Sequence, residues 1–251
     1  MPWPGLLSRH VQSLLPSQCT ACRAWPAAAV CGDCTARFSP ATIRCHLCAI
    51  DLPPDLSGGV RTGAPVCGEC LLRKPPVDAS LVAVSYGYPW ATLISRYKFG
   101  ERPGWAGFFA GLLAALPEVR HTLAALEAGD WILPLPLSAQ RLENRGFNQA
   151  WELASALSSR SLHRGSADAR LLLRIRDTRP QTELRREARI ANVRDAFTVD
   201  PLRAHLLRGR RVVLVDDVMT SGASLFAAAE ALRAAGAAHI TAVAFARTAA
   251  R

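Results

Sequence analysis

Lysine is scarce in this sequence, and long apolar runs are absent. Lys74 and Lys98 are the only lysines among 30 basic residues. Neither stands in the GxxxxGKS or GxxxxGKT loop that a P-loop ATPase requires. No apolar run approaches the roughly 18 residues that cross a bilayer, and the first 18 residues lack the basic segment and cleavage site of a secretion signal. We therefore expect a cytoplasmic protein without a transmembrane helix.

The N-terminal 18 residues nevertheless carry a regular apolar pattern. Leu6, Leu7, Val11, Leu14 and Leu15 recur at helical spacing and predict a short amphipathic helix. Packing of this helix on its own protein is favoured over binding to a membrane surface.

Cysteine is absent after residue 70, because all eight cysteines precede it as four CxxC pairs. The pairs are Cys19/Cys22, Cys31/Cys34, Cys45/Cys48 and Cys67/Cys70. Disulfides do not persist in a cytosolic protein, so the pairs indicate metal ligation. Two CxxC pairs supply the four thiolates of one tetrahedral zinc site.

Sequential pairing is the favoured arrangement of these ligands. It places Cys19, Cys22, Cys31 and Cys34 on one zinc ion, and Cys45, Cys48, Cys67 and Cys70 on a second. A crossed arrangement and dithiol redox chemistry are the alternatives. Four thiolates leave zinc no open position for water, so we predict two structural zinc ions in a double zinc ribbon.

Positive charge is concentrated in one part of the chain. The formal net charge is +10, and between residues 140 and 211 there are 16 arginines against 8 acidic residues. This segment indicates an anionic ligand, either polyphosphate, nucleic acid or both. Residues 1–80 carry a formal charge of about +2. Each tetrathiolate zinc centre adds two negative charges, so the loaded module is close to neutral or slightly acidic, and we do not expect the zinc ribbons to be the main contact for nucleic acid.

Beyond a linker at residues 74–80, short apolar runs alternate with helical patterns. The predicted strands are 81–86, 131–136, 171–177, 196–199, 210–217 and 239–247, and the clearest helices are 147–162 and 224–236. This alternation predicts an α/β fold with a mainly parallel, doubly wound sheet. We assign residues 1–75 to the N-terminal helix and zinc ribbons, and residues 76–251 to the sheet domain. Ligands of such sheets bind beyond the carboxyl ends of the strands.

Two adjacent carboxylates occupy that position in the segment VVLVDDVMTSGAS, residues 212–224. Signal-receiver domains also carry paired acids, but on their first strand, whereas only 34 residues follow Asp217. A glycine-containing loop that opens a helix binds anions through backbone amides, and hydroxyl side chains add donors. Carboxylates beside such a loop accept hydrogen bonds from a sugar. Together they predict a site for a ribose that carries a 5′-phosphate.

This segment resembles the phosphoribosyl pyrophosphate (PRPP) motif of type I phosphoribosyltransferases, and the wider chain resembles the ComF family. The resemblance also rests on the CxxC pairs and on RYKFGERP (96–103), PLPLSAQRLENRGFNQ (134–149) and RDTRPQTELRREARIANVRDAF (176–197). It implies a type I phosphoribosyltransferase-like sheet flanked by helices. The chain departs from the commoner pattern in having TSGAS for TTGAT and Glu101 in place of a second glycine after KFG.

The resemblance also implies roles for individual residues, each weighed against an ordinary turn, a solvated loop or a charged helix. Asp216 and Asp217 would hold the ribose hydroxyls. The 5′-phosphate would be bound by Thr220, Ser221, Gly222, Ala223 and Ser224, and the diphosphate by Ser138, Arg141 and Arg145. A flexible closing loop would supply Arg179 and Arg186 for catalysis, with Gln181, Asn192 and Arg194 as further polar contacts. Tyr97 and Lys98 would border the pocket, or be a packed aromatic and a surface lysine.

The function implied is a Mg²⁺-dependent transferase that moves the 5-phosphoribosyl group of PRPP to an unidentified acceptor with release of pyrophosphate. The alternatives are a factor that handles single-stranded DNA in natural transformation, with a DNA-uptake protein bound at the zinc ribbons, and a PRPP sensor without turnover. The glutaminase half of amidophosphoribosyltransferases uses an N-terminal cysteine, whereas here Met1 leads to the CxxC pairs, so we do not expect nitrogen transfer from glutamine.

Overall fold

The computed structural model of the chain comprises two compact units, Met1–Pro40 and Ala41–Arg251. The residues that it describes are 18–25, 27–53, 63–99, 104–160, 163–176 and 195–249. The amphipathic segment predicted for Leu6 to Leu15 lies outside these residues, as does Glu101. No helix among the described residues is both long and apolar enough to cross a membrane.

Seven strands, eight α-helices and one short 3-10 helix (Ala204–Leu207) make up the regular structure of the described residues. The strands are β1 (Ala79–Ser85), β2 (Trp131–Pro134), β3 (Ser166–Ala167), β4 (Leu172–Arg174), β5 (Phe197–Val199), β6 (Arg211–Met219) and β7 (His239–Arg247). The helices are α1 (Gly32–Phe38), α2 (Gly68–Leu72), α3 (Trp90–Phe99), α4 (Trp105–Ala115), α5 (Pro117–Ala124), α6 (Ala139–Arg145), α7 (Gln149–Arg160) and α8 (Ala223–Ala234).

Five of the strands form one fully parallel sheet in the order β1-β7-β6-β2-β3. The predicted α/β class and parallel sheet are confirmed. β4 and β5 do not join this sheet but form a separate antiparallel pair, with Leu172 opposite Val199. Each strand of this pair has three residues. The side chains of Leu172 and Val199 are buried in the core beside α8.

The sheet is covered on both faces, as a parallel sheet requires. On one face Phe245 of β7 stacks on Phe109 of α4, with ring centroids 4.1 Å apart, and meets Trp90 of α3 edge-on. On the other face, Ala242 and Ala244 of β7 belong to a hydrophobic cluster that includes α8. Alternation of the side chains along β7 produces this division.

The second group of cysteines is built into the same unit as the sheet. Cys45, Cys48 and Cys70 are buried in the cluster on the α8 side. Ser80 of β1 donates its amide to the carbonyl of His46 at 2.8 Å and its hydroxyl to that of Leu47 at 2.7 Å. These bonds tie the second cysteine group to β1. The domain boundary predicted after residue 75 stays a prediction.

Candidate functional site

β2 and β6 are neighbours in the sheet, and the chain leaves their carboxyl ends in opposite directions; we call the space beyond these two ends the crevice. β2 leads to β3 at one edge of the sheet, whereas β6 leads to β7 on its other side. Adjacent strands whose connections diverge in this way mark the point where α/β sheets bind ligands. β2 pairs with β6 only as far as Pro134 opposite Val215, so the residues of β6 after Val215 have no strand neighbour on that side.

Asp216 and Asp217 are the first two residues of β6 beyond that last pair. The sequence predicted that the strand would stop at Asp217, but β6 continues to Met219 because it stays paired with β7 up to Arg247. The acids therefore belong to a rigid strand that is paired on one side and open on the other.

The two carboxylates have different surroundings. Asp217 is 5% exposed, and one of its carboxylate oxygens lies 2.9 Å from the ammonium of Lys98 at the end of α3. Asp216 is partly buried, and its Oδ1 accepts a hydrogen bond from the amide of Asp217 at 2.8 Å. Asp217 thus has a counter-ion in direct contact, whereas the charge of Lys98 acts on Asp216 only from a distance.

Burial raises the pKa of Asp216 to about 7, and the neighbouring charge of Asp217 adds to the rise. The charges of Lys98 and Arg145 and the amide of Asp217 oppose it. A carboxylate whose ionised form is disfavoured in the free protein gains from a ligand that supplies hydroxyl donors or positive charge.

The loop after β6 is a glycine turn that leads directly into a helix. Gly222 has φ +82°, and a Cβ there would lie 2.7 Å from the ring of Phe226 and 2.8 Å from the Cε of Met219, so only glycine fits. Helix α8 begins directly afterwards at Ala223 and runs for 12 residues. Its first-turn amides have no acceptor within the helix, and the hydroxyl oxygen of Ser221 accepts from the amide of Ala223 at 3.4 Å.

The loop after β2 faces the same crevice from the adjacent strand. Ser138 begins helix α6, and its hydroxyl oxygen accepts from the amide of Arg141 at 3.4 Å, which leaves its own hydrogen available to a ligand. Asn148 fixes the loop by donating to the carbonyl of Leu135 at 3.2 Å.

Arg145 lies at the end of α6, where it can act on the crevice. Its guanidinium donates to Gln149 at 2.8 Å and stacks 5.3 Å from the ring centroid of Phe99. Its charge is close enough to lower the pKa of Asp216. Phe99 itself is 70% exposed.

Of the two residues expected to border the pocket, the structure brings only Lys98 to the acids. Tyr97 is fully buried, packs edge-on against Phe109, and donates its hydroxyl to the carbonyl of Gln149 at 2.7 Å. Burial raises its pKa. Tyr97 is the packed aromatic that the sequence left as an alternative.

The residues proposed for the closing loop lie outside the described part of the chain, because residues 177–194 are not among it. They are Arg179, Gln181, Arg186, Asn192 and Arg194. Their roles stay predictions.

Sequence reasoning missed Arg247, which is 5% exposed at the end of β7. Its guanidinium donates to the carbonyls of Met219 and Thr220, which begin the loop after β6, and to that of Cys48. An arginine that closes the otherwise apolar run HITAVAFAR was the available signal, since a buried arginine requires several acceptors.

The eight cysteines form two groups, as sequential pairing predicted. The groups are Cys19, Cys22, Cys31 and Cys34, and Cys45, Cys48, Cys67 and Cys70, and within each all four Sγ atoms lie within 4.8 Å of one another. All eight thiols are free.

The geometry of both groups fits zinc. Cys22 and Cys31 have their Sγ atoms 3.7 Å apart, and Cys48 and Cys67 3.6 Å. Tetrahedral zinc with Zn–S bonds of about 2.3 Å requires sulfur atoms about 3.8 Å apart. In each group a backbone amide also donates to a sulfur at 3.3 Å, which favours the thiolate that zinc binds. Either group could hold one zinc ion in a closed, structural site.

Comparison with known proteins agrees with this architecture. Residues 144–251 match the phosphoribosyl transferase domain family. The DNA utilization protein YhgH of Escherichia coli K12 is 35% identical over 177 residues, which cover 69% of this chain and 74% of that protein. Competence protein F of Haemophilus influenzae is 33% identical over 171 residues, covering 68% of this chain and 73% of its own. Competence protein ComFC of Bacillus subtilis is 25% identical over 213 residues, covering 81% and 77%.

The match to the phosphoribosyl transferase domain covers both β6 and the loop that follows it. The identity with the two proteins above 30% extends over more than two thirds of each of them. The chain therefore belongs to the ComF family and carries a phosphoribosyltransferase-type domain together with two four-cysteine clusters.

Proposed function

We propose that the protein binds PRPP with Mg²⁺ in the crevice between β2 and β6 and transfers the 5-phosphoribosyl group to an unidentified acceptor. The observation that carries this proposal is the divergence of two adjacent strands around one acid pair. One strand leads into a glycine turn and a helix N-terminus, and the other into a loop followed by Arg141 and Arg145. PRPP has the matching order of groups: a 5′-phosphate, a ribose diol and a diphosphate.

Each part of the crevice suits one part of this ligand. The amides and hydroxyls of residues 220–224 would bind the 5′-phosphate. Asp216 and Asp217 would accept hydrogen bonds from the ribose hydroxyls, with Lys98 as the counter-ion of Asp217. Ser138, Arg141 and Arg145 would face the diphosphate. Mg²⁺ usually binds through substrate phosphates with few protein ligands, so it would be held mainly by PRPP itself and would supply charge neutralisation.

In the transfer, the bond between the anomeric carbon and the diphosphate oxygen breaks, and pyrophosphate leaves with the electron pair. A bond from the acceptor to the same carbon then forms. Arg145 and, in our proposal, Arg179 and Arg186 would stabilise the negative charge that builds on the leaving group. Closure of the loop that carries Arg179 and Arg186 would keep water from hydrolysing PRPP.

Handling of single-stranded DNA is the second candidate, supported by the names of the relatives and by one feature of the structure. Tyr86, Tyr88 and Phe99 are 41%, 63% and 70% exposed, although the sequence offered few recognisable stacking platforms. Exposed aromatics beside basic residues stack on unpaired bases. A protein partner for the cysteine clusters, a PRPP sensor without turnover and a cytoplasmic location stay predictions.

Calorimetric titration of the zinc-loaded protein with PRPP, with and without Mg²⁺, tests the first candidate. We expect Mg²⁺-dependent binding that Asp216→Asn together with Asp217→Asn weakens at least about 100-fold, the loss expected for two charged hydrogen-bonding partners. Asp78→Asn is the control, because Asp78 pairs with Arg233 and with the amide of Ile240 at the amino end of the sheet. An affinity for PRPP that does not depend on Mg²⁺, or that is unchanged in the double variant, would refute the proposal.

A single-stranded oligonucleotide replaces PRPP in the parallel test. Binding that weakens steeply with salt, survives Asp216→Asn and is reduced by Phe99→Ala would favour the second candidate. Release of pyrophosphate in the presence of added nucleobases or amines would separate a transferase from a sensor.

A further inference from the structure

One buried arginine joins the second cysteine cluster to the loop after β6. Arg247 donates from Nε to the carbonyl oxygen of Cys48 at 2.8 Å, and Nη1 donates to the carbonyls of Met219, at 3.3 Å, and of Thr220. Cys48 is one of the four thiols that could hold the second zinc ion. Thr220 is the first residue of the loop that we assign to the 5′-phosphate.

The position of this arginine makes the connection stiff. Arg247 is 5% exposed and is the last residue of β7, where it pairs with both Met219 of β6 and Ser85 of β1. The amide of Thr248 also donates to the carbonyl of Met219 at 3.1 Å. The guanidinium therefore spans two backbone segments from a base that cannot move independently of the sheet.

The direction of the hydrogen bonds determines what the arginine does. A peptide whose carbonyl is held by Arg247 has its amide turned the opposite way, because carbonyl and amide point in opposite directions across the planar peptide bond. Fixing the carbonyl of Thr220 thus orients the amide of Ser221 at the start of the anion turn. Fixing the carbonyl of Cys48 holds the cysteine turn 45–48, whose own geometry depends on the four thiols.

We propose that Arg247 is a positioning residue that couples zinc in the second cysteine cluster to binding of PRPP by the loop after β6. The proposal rests on the proposed function, because it concerns the same phosphate loop. Zinc in the second cluster orders the carbonyl of Cys48, Arg247 transmits this order to Thr220, and PRPP binds a loop that is already arranged. Such coupling is reciprocal, so bound PRPP must in turn stabilise the second zinc.

The first cysteine cluster provides an internal control. Cys19, Cys22, Cys31 and Cys34 lie in the other compact unit, whereas the carbonyl that Arg247 holds belongs to Cys48 of the second cluster. The two zinc ions should consequently respond differently to the same ligand.

The test follows zinc release from the full-length protein to the chromogenic chelator 4-(2-pyridylazo)resorcinol, with and without saturating Mg²⁺ and PRPP. We expect PRPP to slow the release of one of the two zinc ions at least about tenfold and to leave the other unchanged. In the variant Cys19→Ser with Cys22→Ser, only the second cluster holds zinc, and its release should still be slowed.

Arg247→Lys keeps the positive charge but removes the bridge, because an ammonium cannot donate to the carbonyls of both Cys48 and Thr220 in the way that Nε and Nη1 do. The variant should keep its zinc, bind PRPP about tenfold more weakly and lose the effect of PRPP on zinc release. Arg233→Lys is the matched control. Arg233 also binds backbone carbonyls, those of Pro76, Ala237 and Ala238, but at the amino end of the sheet.

Three results bear against these expectations in distinguishable ways. If wild-type protein binds PRPP and releases both zinc ions at unchanged rates, the coupling is wrong and the proposed function stands. If Arg247→Lys retains the slowing, Arg247 is not the connection. If calorimetry finds no PRPP binding to the wild type, the proposed function fails and the coupling fails with it.

Discussion

The carboxylates at the amino end of the sheet are fully paired with donors and positive charges, whereas those at the carboxyl end are only partly neutralised. At the amino end, Asp78 accepts from the amide of Ile240 at 2.7 Å and pairs with Arg233, with His239 3.4 Å away. At the carboxyl end, Asp217 pairs with Lys98, and the charges of Lys98 and Arg145 act on Asp216 only from a distance.

The difference is visible in the acid–base properties of the two ends. Burial alone would raise the pKa of Asp78, but the amide of Ile240 and the charges of His239 and Arg233 hold it below its ordinary value. Burial and a like charge raise the pKa of Asp216 to about 7. One end uses charge to stabilise the fold, whereas the other keeps a carboxylate in an unfavourable state that a ligand can relieve.

Two glycines with positive φ, one at each end, provide the sharpest test of this contrast. A Cβ on Gly222 would collide with Phe226 and Met219, whereas one on Gly129, with φ +91°, would meet only the mobile guanidinium of Arg210. We expect Gly222→Ala to lower the free energy of unfolding by about 3 kcal/mol and Gly129→Ala by about 1–2 kcal/mol.

Chemical denaturation measures the stability of both variants, and calorimetry their affinity for PRPP. Gly222→Ala should also weaken PRPP binding at least about tenfold, because its loop amides are displaced. Equal affinities in the two variants would show that the turn after β6 is merely structural.

Removal of a carboxylate from each end should have opposite effects on stability. Asp78→Ala removes the carboxylate that pairs with Arg233 and accepts from the amide of Ile240, while Arg233 keeps its backbone carbonyl acceptors. We expect a loss of about 2 kcal/mol, reduced from the fully buried value because Asp78 is partly exposed. Asp216→Asn removes repulsion with Asp217 and should leave stability unchanged or raise it. Asp216→Asn should weaken PRPP binding more than Asp78→Ala does. A loss of stability in Asp216→Asn would contradict the difference proposed between the two ends of the sheet.

The smallest effect is on the pH dependence of stability. The raised pKa of Asp216 means that the folded state binds a proton more tightly than the unfolded chain, so its stabilising contribution is present in acid and is lost as pH rises through about 7. The lowered pKa of Asp78 has the opposite sign: its contribution is present above the unfolded pKa, 3.8, and is lost as pH falls below it.

Denaturation curves at several pH values can separate these two contributions. Asp216→Asn should flatten the decline between about pH 4 and 7 by at least about 1 kcal/mol, a value discounted because Asp216 is partly exposed, and Asp78→Asn should flatten the loss in acid. Unchanged slopes in the Asp216→Asn variant would mean that Asp216 is an ordinary, solvated carboxylate.

Much of the carboxyl end was predictable from local patterns. The segment VVLVDDVMTSGAS predicts a strand, a turn and a helix in that order. The apolar run indicates the strand, the glycine and hydroxyl residues indicate the turn, and the spacing of apolar residues after it indicates the helix. The CxxC spacing likewise predicted which cysteines share a site. Both inferences involve residues that are close in sequence, where local geometry is decisive.

The remaining features depend on contacts between distant residues. Sequence pattern does not specify strand order, so it could not place Trp131 of β2 beside Val212 of β6, which creates the crevice. Nor could it pair Lys98 with Asp217, or show that the second cysteine cluster packs on the sheet. The bridge made by Arg247 joins residues about 200 positions apart in the chain.

Hydrogen exchange on the full-length protein, with and without Mg²⁺ and PRPP, tests the central claim most directly. The account predicts that PRPP protects amides in residues 135–149 and 220–226 together, because both loops would bind one ligand at the ends of adjacent strands, while residues 76–80 and 236–240 at the amino end keep their rates. Protection of only one loop, or of the amino end, would contradict it.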